Sequence, residues 1–126
     1  MKKFELENDI EIEAVDLVWK YLGIKGSKLK VVGDTGYPDR IFWMPGGRPL
    51  LIEFKKPGEE PRPKQLKIHR QLRKLGYQVE VHDNAIEAFQ AVIKTVETNP
   101  LYEKGNKVLV RARRWCAVLR SRAEKN

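Results

Sequence analysis

Asp39, Glu53 and Lys55 are the residues of this sequence whose types and spacing suit them to chemistry. In Leu50-Leu51-Ile52-Glu53-Phe54-Lys55, strand alternation sends Leu50, Ile52 and Phe54 to one face and Glu53 and Lys55 to the other. Asp39 directly follows Pro38 at the start of an earlier β-type run, and the turn-forming Pro45-Gly46-Gly47 lies between the two segments. A hairpin folded at that turn brings Asp39 back beside Glu53. Two convergent carboxylates next to a lysine are what a Mg²⁺-dependent phosphodiester hydrolase requires. The carboxylates offer hard oxygen ligands, the cation lowers the pKa of its water and neutralises phosphate, and the ammonium stabilises charge in the transition state. Taken alone, the same residues equally describe a solvated strand face and a turn aspartate.

The elements that must position these residues are legible in the periodicity. Ile10, Ala14, Leu17, Val18, Tyr21 and Leu22 share one arc of a helical wheel, and Gly23 is placed to end the helix. Lys28 to Val32 reads as a short strand, followed by the turn-rich stretch from Gly33 to Asp39 and a second strand from Arg40 to Met44. Pro49 to Lys55 is the returning strand. A loop from Lys56 to Pro63 leads to a helix from Lys64 to Leu75, stopped by Gly76, with Gln65, Ile68, Leu72 and Leu75 turned towards the sheet. Gln78 to His82 is a further strand. Asn84 followed by Glu87 forms a capping box for a helix to about Thr98, burying Ile86, Phe89, Val92, Ile93 and Val96. The order α-β-β-β-α-β-α predicts one mixed α/β domain with helices covering its sheet, followed by a basic helical segment.

Several matches in fixed order run through these elements: Gly36-Tyr37-Pro38-Asp39-Arg40, then Gly47, Leu51-Ile52-Glu53-Phe54-Lys55-Lys56-Pro57-Gly58 and Pro63-Lys64-Gln65. Together they resemble the VRR-NUC (virus-type replication-repair nuclease) family of the PD-(D/E)xK superfamily, from about Glu7 to Thr98. The resemblance implies a restriction-endonuclease-like fold and a Mg²⁺- or Mn²⁺-dependent DNA endonuclease. It places Asp39 and Glu53 as metal carboxylates, the Phe54 carbonyl as a further ligand, Lys55 as the catalytic lysine and Gln65 as the glutamine of the following helix. A first-helix glutamate completes the family's site. Glu7 fits that pattern best and lies near the middle of the apolar arc, with Glu11 one turn later as the alternative; both also suit a helix N-terminus as simple dipole-favourable acids. Single-domain members resemble junction-resolving enzymes that act as homodimers. Branched DNA (Holliday junctions or flaps) is therefore the implied substrate, and a phage replication or recombination setting is implied too. On this basis residues 1–99 form the nuclease domain and 100–126 a basic extension.

Composition narrows the alternatives. The chain has 126 residues, 41% hydrophobic and 33% charged, with a formal net charge of +8, which excludes a disordered or coiled-coil class and points to a polyanionic partner. Acids crowd between Glu5 and Asp16, whereas Arg62, Lys64, Lys67, Arg70, Arg73 and Lys74 form an acid-free basic run. Lys67 and Arg70 on the second helix, Arg40 and Lys56 beside the active residues, and Arg111, Arg113 and Arg114 in the tail are the candidate DNA contacts, with Lys104, Lys107, Arg120 and Arg122 as further tail bases. The tail bases alternate with Trp115, Val118 and Leu119, which suits a helix gripping a second strand or subunit. His69 and His82 have no metal-ligand spacing and read as surface or satisfied structural residues; Trp19 and Trp43 read as packing residues. The lone Cys116, the absence of a signal-like or membrane-spanning stretch and the lack of a nucleotide-binding glycine loop predict a cytoplasmic protein without nucleotide cofactor. The rivals are a sequence-specific restriction-type or nicking nuclease with the same residues, and a non-catalytic basic DNA-binding module.

Overall fold

The computed structural model describes residues 6–99 and 107–125. The order is α1 (Glu7–Leu22), β1 (Gly26–Lys28), β2 (Arg40–Phe42), β3 (Leu50–Phe54), α2 (Pro63–Lys74), β4 (Gln78–His82), α3 (Ala85–Glu97) and α4 (Lys107–Lys125). This is the expected α/β succession. The strands form one sheet in the order β1-β2-β3-β4, antiparallel except for the β3–β4 pair, which is parallel across the α2 crossover.

The two faces of the sheet are covered by different helices. Phe42, Leu50, Ile52 and Phe54 pack with Ile10, Ala14 and Val18 of α1, Phe89, Val92 and Val96 of α3, and Leu109, Ala112 and Cys116 of α4. The free thiol of Cys116 is buried there. The opposite face, carrying Leu51, Glu53 and Lys55, lies under α2, so every residue of β3 is buried. A strand covered on both sides reads as a continuous buried run rather than an alternating one. Glu53 and Lys55 are thus interior residues, not the solvated strand face that spacing alone allowed.

The local signals explain most boundaries. Gly23 adopts the left-handed conformation and its N–H closes on the Trp19 carbonyl, ending α1. The Asn84 side chain accepts the Glu87 N–H and starts α3. Three expectations need correction. The first strand is Gly26–Lys28 rather than 28–32: Lys28 pairs with Arg40, Asp39 accepts one more backbone bond from Leu29, and the chain then turns away, leaving Val32 exposed. Gly26 belongs to the strand because a Cβ there would lie 2.5 Å from the Phe42 ring. Leu75 caps α2 and is 74% exposed instead of facing the sheet. Trp19 and Trp43 are exposed rather than packed, Trp43 donating its indole N–H to Ser27 at 2.8 Å.

The basic tail forms α4 and packs back on α1 and α3, with Trp115 stacked on Tyr21 at 5.6 Å. Lys104 lies outside the described residues. No helix among the described residues is long and apolar enough to cross a membrane.

Candidate active site

Strand parity builds the site. Arg40 is paired with Ile52 across β2 and β3, so Arg40 shares the face of Phe42, Leu50 and Ile52, and its neighbour Asp39 points to the face of Glu53. Asp39 Oδ2 accepts the Phe54 N–H at 2.7 Å, which ties the entry of β2 to the exit of β3. A strand residue carries its N–H and C=O on the same edge, so the Phe54 carbonyl faces the same gap. Glu7, the first residue of α1, arrives from the helix that covers the other face. Glu7, Asp39 and Glu53 each offer a carboxylate oxygen within 4.8 Å of the others.

Glu11 goes elsewhere. Its side chain is buried against β1 and β2, accepting from Arg40 Nε and from Lys28 Nζ at 2.9 Å. The structure therefore brings Glu7 to the cluster and makes Glu11 the anchor that seats α1. Arg40 also donates to the Gly26 carbonyl at 3.0 Å, so this guanidinium is engaged within the fold, on the opposite face of β2 from Asp39. Arg40, expected as a DNA contact, is held by Glu11 and the Gly26 carbonyl.

α2 crosses the other face and completes the surroundings. The Gln65 amide donates to Glu53 Oε2 at 2.9 Å, while its carbonyl accepts the Arg62 N–H at 2.8 Å and closes the first turn. Pro63 at the helix start fixes the backbone there. Lys55 is buried, with Nζ 3.7 Å from Glu53 Oε2. His69, one turn after Gln65, is fully buried, with Nε2 3.5 Å from Glu53 Oε1. Neither ring nitrogen has a hydrogen-bond partner among the described residues, which corrects its reading as a surface or satisfied histidine. The i, i+4 spacing of Gln65 and His69 was the available signal, because it sets both on one helix face. His82 is satisfied, with Nε2 2.8 Å from Glu80 Oε1.

The electrostatics of the cluster share one cause. Burial pushes the Glu53 carboxyl up to about 8, with Asp39 adding to the rise and Lys55 opposing it. Burial also raises Asp39, against the lowering effect of the Phe54 N–H, and it raises Glu7, against the pull of Lys55. The His69 imidazole is shifted down by burial, then by the charges of Arg73 and Lys55. Three hard carboxylates, each resisting ionisation next to the others, fit a divalent cation such as Mg²⁺ or Mn²⁺, whose charge would reverse that resistance.

Around the cluster, Lys56 is exposed and lies 3.8 Å from Glu59 in the loop leaving β3. Lys67 and Arg70 are exposed on the outer side of α2. Arg111, Arg113 and Arg114 lie on α4, across the sheet from the site, and Arg113 is paired with Glu97 of α3 at 2.9 Å. A cleft of about 900 Å³ between β4, α3 and α4 includes none of the three carboxylates.

Known proteins share this arrangement of sequence. A profile of the VRR-NUC domain matches residues 26–85, the span carrying Asp39, Glu53, Lys55 and Gln65. The chain is 42% identical over 78 residues, 62% of its own length and 83% of the relative's, to the protein called "Putative nuclease p44" of Acyrthosiphon pisum secondary endosymbiont phage 1. A solved structure described as a VRR_NUC domain is 31% identical, with a TM-score of 0.59 over 73% of this chain and 95% of that one. The likeness extends across nearly all of that solved domain and holds in both sequence and fold; this chain belongs to the VRR-NUC family of nuclease domains.

Proposed function

We propose that the chain is a divalent-metal-dependent endonuclease acting on branched DNA, with Asp39, Glu53 and Glu7 as carboxylate ligands and Lys55 as the catalytic lysine. The observation that carries this reading is the meeting of three carboxylates, from α1, the residue before β2, and β3, at one point beside a buried lysine. Bound there, Mg²⁺ or Mn²⁺ would neutralise the scissile phosphate and lower the pKa of a water.

The protein's own groups divide the remaining work. Asp39 is held by the Phe54 N–H and Glu53 by Gln65, so both carboxylates are oriented before substrate arrives. The Lys55 ammonium, close to Glu53, is placed to donate to a non-bridging oxygen as negative charge accumulates on the phosphoryl group. Water oxygen bonds to phosphorus and releases a proton to solvent, the bridging P–O bond breaks, and the departing oxygen takes a proton from solvent. Lys67 and Arg70, on the helix that carries Gln65, provide cations for neighbouring phosphates.

Basic side chains on α2 and on α4 lie on opposite sides of the sheet, which supports a substrate with more than one duplex arm. A four-way junction is then met by two copies of the chain, each cutting one strand. The test is incubation with linear duplex, flap and four-way junction DNA in Mg²⁺, Mn²⁺ or EDTA, beside Lys55→Ala. Cleavage should need the metal, favour the branched substrates and fall on the order of a hundredfold or more in Lys55→Ala. No metal-dependent cleavage of any substrate defeats the nuclease reading, and cutting of plain duplex at one sequence defeats the branched one.

A further inference from the structure

The buried imidazole of His69 has no evident structural purpose. Both ring nitrogens and Glu53 Oε1 are buried where α2 crosses β3, and none has a hydrogen-bond partner among the described residues. Each buried polar atom left unpaired costs about 1–3 kcal/mol, whereas an apolar side chain of similar volume would fill the same space without that cost. Stability therefore does not explain this residue, but its geometry against Glu53 does. Nε2 lies 3.5 Å from Oε1, while Gln65 Nε2 already holds Oε2 at 2.9 Å. Gln65 and His69 are one turn apart, so a single helix offers one donor to each oxygen of the same carboxylate. Closing the gap to an ordinary N–H···O length of about 2.7–3.2 Å needs only a small rotation of either side chain.

We propose that His69 is a positioning residue: its Nε2–H donates to Glu53 Oε1 and, with Gln65 on Oε2, fixes the plane of the carboxylate towards Asp39 and Glu7. The inference rests on the metal-dependent reading of the site. A carboxylate has about four lone-pair positions, so two donors from α2 leave the outward lone pairs free for a cation. Groups that orient a metal carboxylate in this way change metal affinity more than they change folding.

The experiment is calorimetric titration of the full-length protein with Mn²⁺ alone, without DNA, together with melting curves in EDTA. Wild type is compared with His69→Leu, His69→Gln and His69→Asn. The leucine variant should melt within a few degrees of wild type in EDTA, because it exchanges two buried ring nitrogens for an apolar side chain while Glu53 Oε1 loses its donor, yet bind Mn²⁺ about 10- to 100-fold more weakly. The Mg²⁺ concentration for half-maximal cleavage should rise by a similar factor. Glutamine, whose amide nitrogen can occupy the place of Nε2, should recover most of the affinity; asparagine, too short to reach Oε1, should not. A merely structural histidine would instead show a lowered melting temperature with unchanged Mn²⁺ affinity. Wild-type affinity in His69→Leu overturns the inference, and if that variant does not fold, equal affinities in the glutamine and asparagine variants overturn it. Failure of the wild type itself to bind Mn²⁺ removes the underlying metal-dependent reading, so the two failures are separate.

Discussion

Glu53 combines two demands that oppose each other, burial and ionisation. Its carboxyl is pushed up to about 8 from an ordinary value of 4.5, chiefly by burial, with the Asp39 charge adding and Lys55 opposing. A carboxyl that holds its proton more tightly when folded contributes stability fully present below about pH 4.5, and that stability is lost as pH rises to about 8. The metal-free protein should therefore melt at progressively lower temperature across this window in EDTA. Glu53→Gln, which cannot ionise, should flatten the decline, and Mn²⁺ should raise the melting point most at the alkaline end, where it competes with the fewest protons. A slope identical in wild type and Glu53→Gln, followed by scanning calorimetry, would show that the strain lies elsewhere. At this scale the sequence was most informative where parity and a short motif acted together, as at Asp39 and Glu53. It said least about Arg40, whose pairing with Glu11 depends on how α1 crosses the sheet. His69 was overlooked because its significance depends on which part of the sheet α2 crosses, a tertiary fact.

Among the elements, α1 has the least obvious task, since it contributes Glu7 from the opposite side of the sheet to α2. Glu11, one turn further on, is buried and ion-paired to Arg40 and Lys28, and this contact sets how far the helix N-terminus projects. Removing Arg40 leaves a buried carboxylate facing only the half-exposed Lys28. Arg40→Met should cost about 2–3 kcal/mol in urea unfolding, somewhat below the usual 3–5 kcal/mol for breaking a buried pair because Lys28 remains. Adding Glu11→Leu to Arg40→Met should restore a large part of that loss, since an apolar pair satisfies the same space. If Arg40→Met instead kept full stability and lost only DNA affinity, Arg40 would be a phosphate contact after all. Element order was readable from periodicity and caps, because Gly23, Asn84 and Gly76 each have a local physical reason. The first strand was misplaced for an equally physical reason: Gly26 looks like punctuation along the chain, but it is required by the Phe42 ring packed against it.

For the whole molecule, what matters is how the +8 net charge is distributed about the sheet. Periodicity showed that α2 and α4 would be basic, but it could not show that they cover opposite faces, because that depends on α4 folding back over α1 and α3. Lys67 and Arg70 share a helix with Gln65, and at about 1.5 Å rise per residue they lie within about 8 Å of it along the axis. That is close to the spacing of successive phosphates, so a duplex running from the carboxylates across the outer side of α2 would meet these two side chains. Arg111 and Arg114 lie beyond the sheet and cannot share the same short stretch of backbone. On linear duplex, Lys67→Ala with Arg70→Ala should lower the slope of log affinity against log salt by about 2, roughly 0.9 for each lost phosphate contact, while Arg111→Ala with Arg114→Ala leaves it nearly unchanged. On a four-way junction the α4 pair should matter as well, because a second arm can reach the far side. Fluorescence anisotropy across a salt series, in Ca²⁺ to suppress cutting, separates the cases. Equal slopes for both double variants on linear duplex would mean that the DNA wraps the domain rather than lying along α2, and the case for a branched substrate from two separated basic faces would then fail.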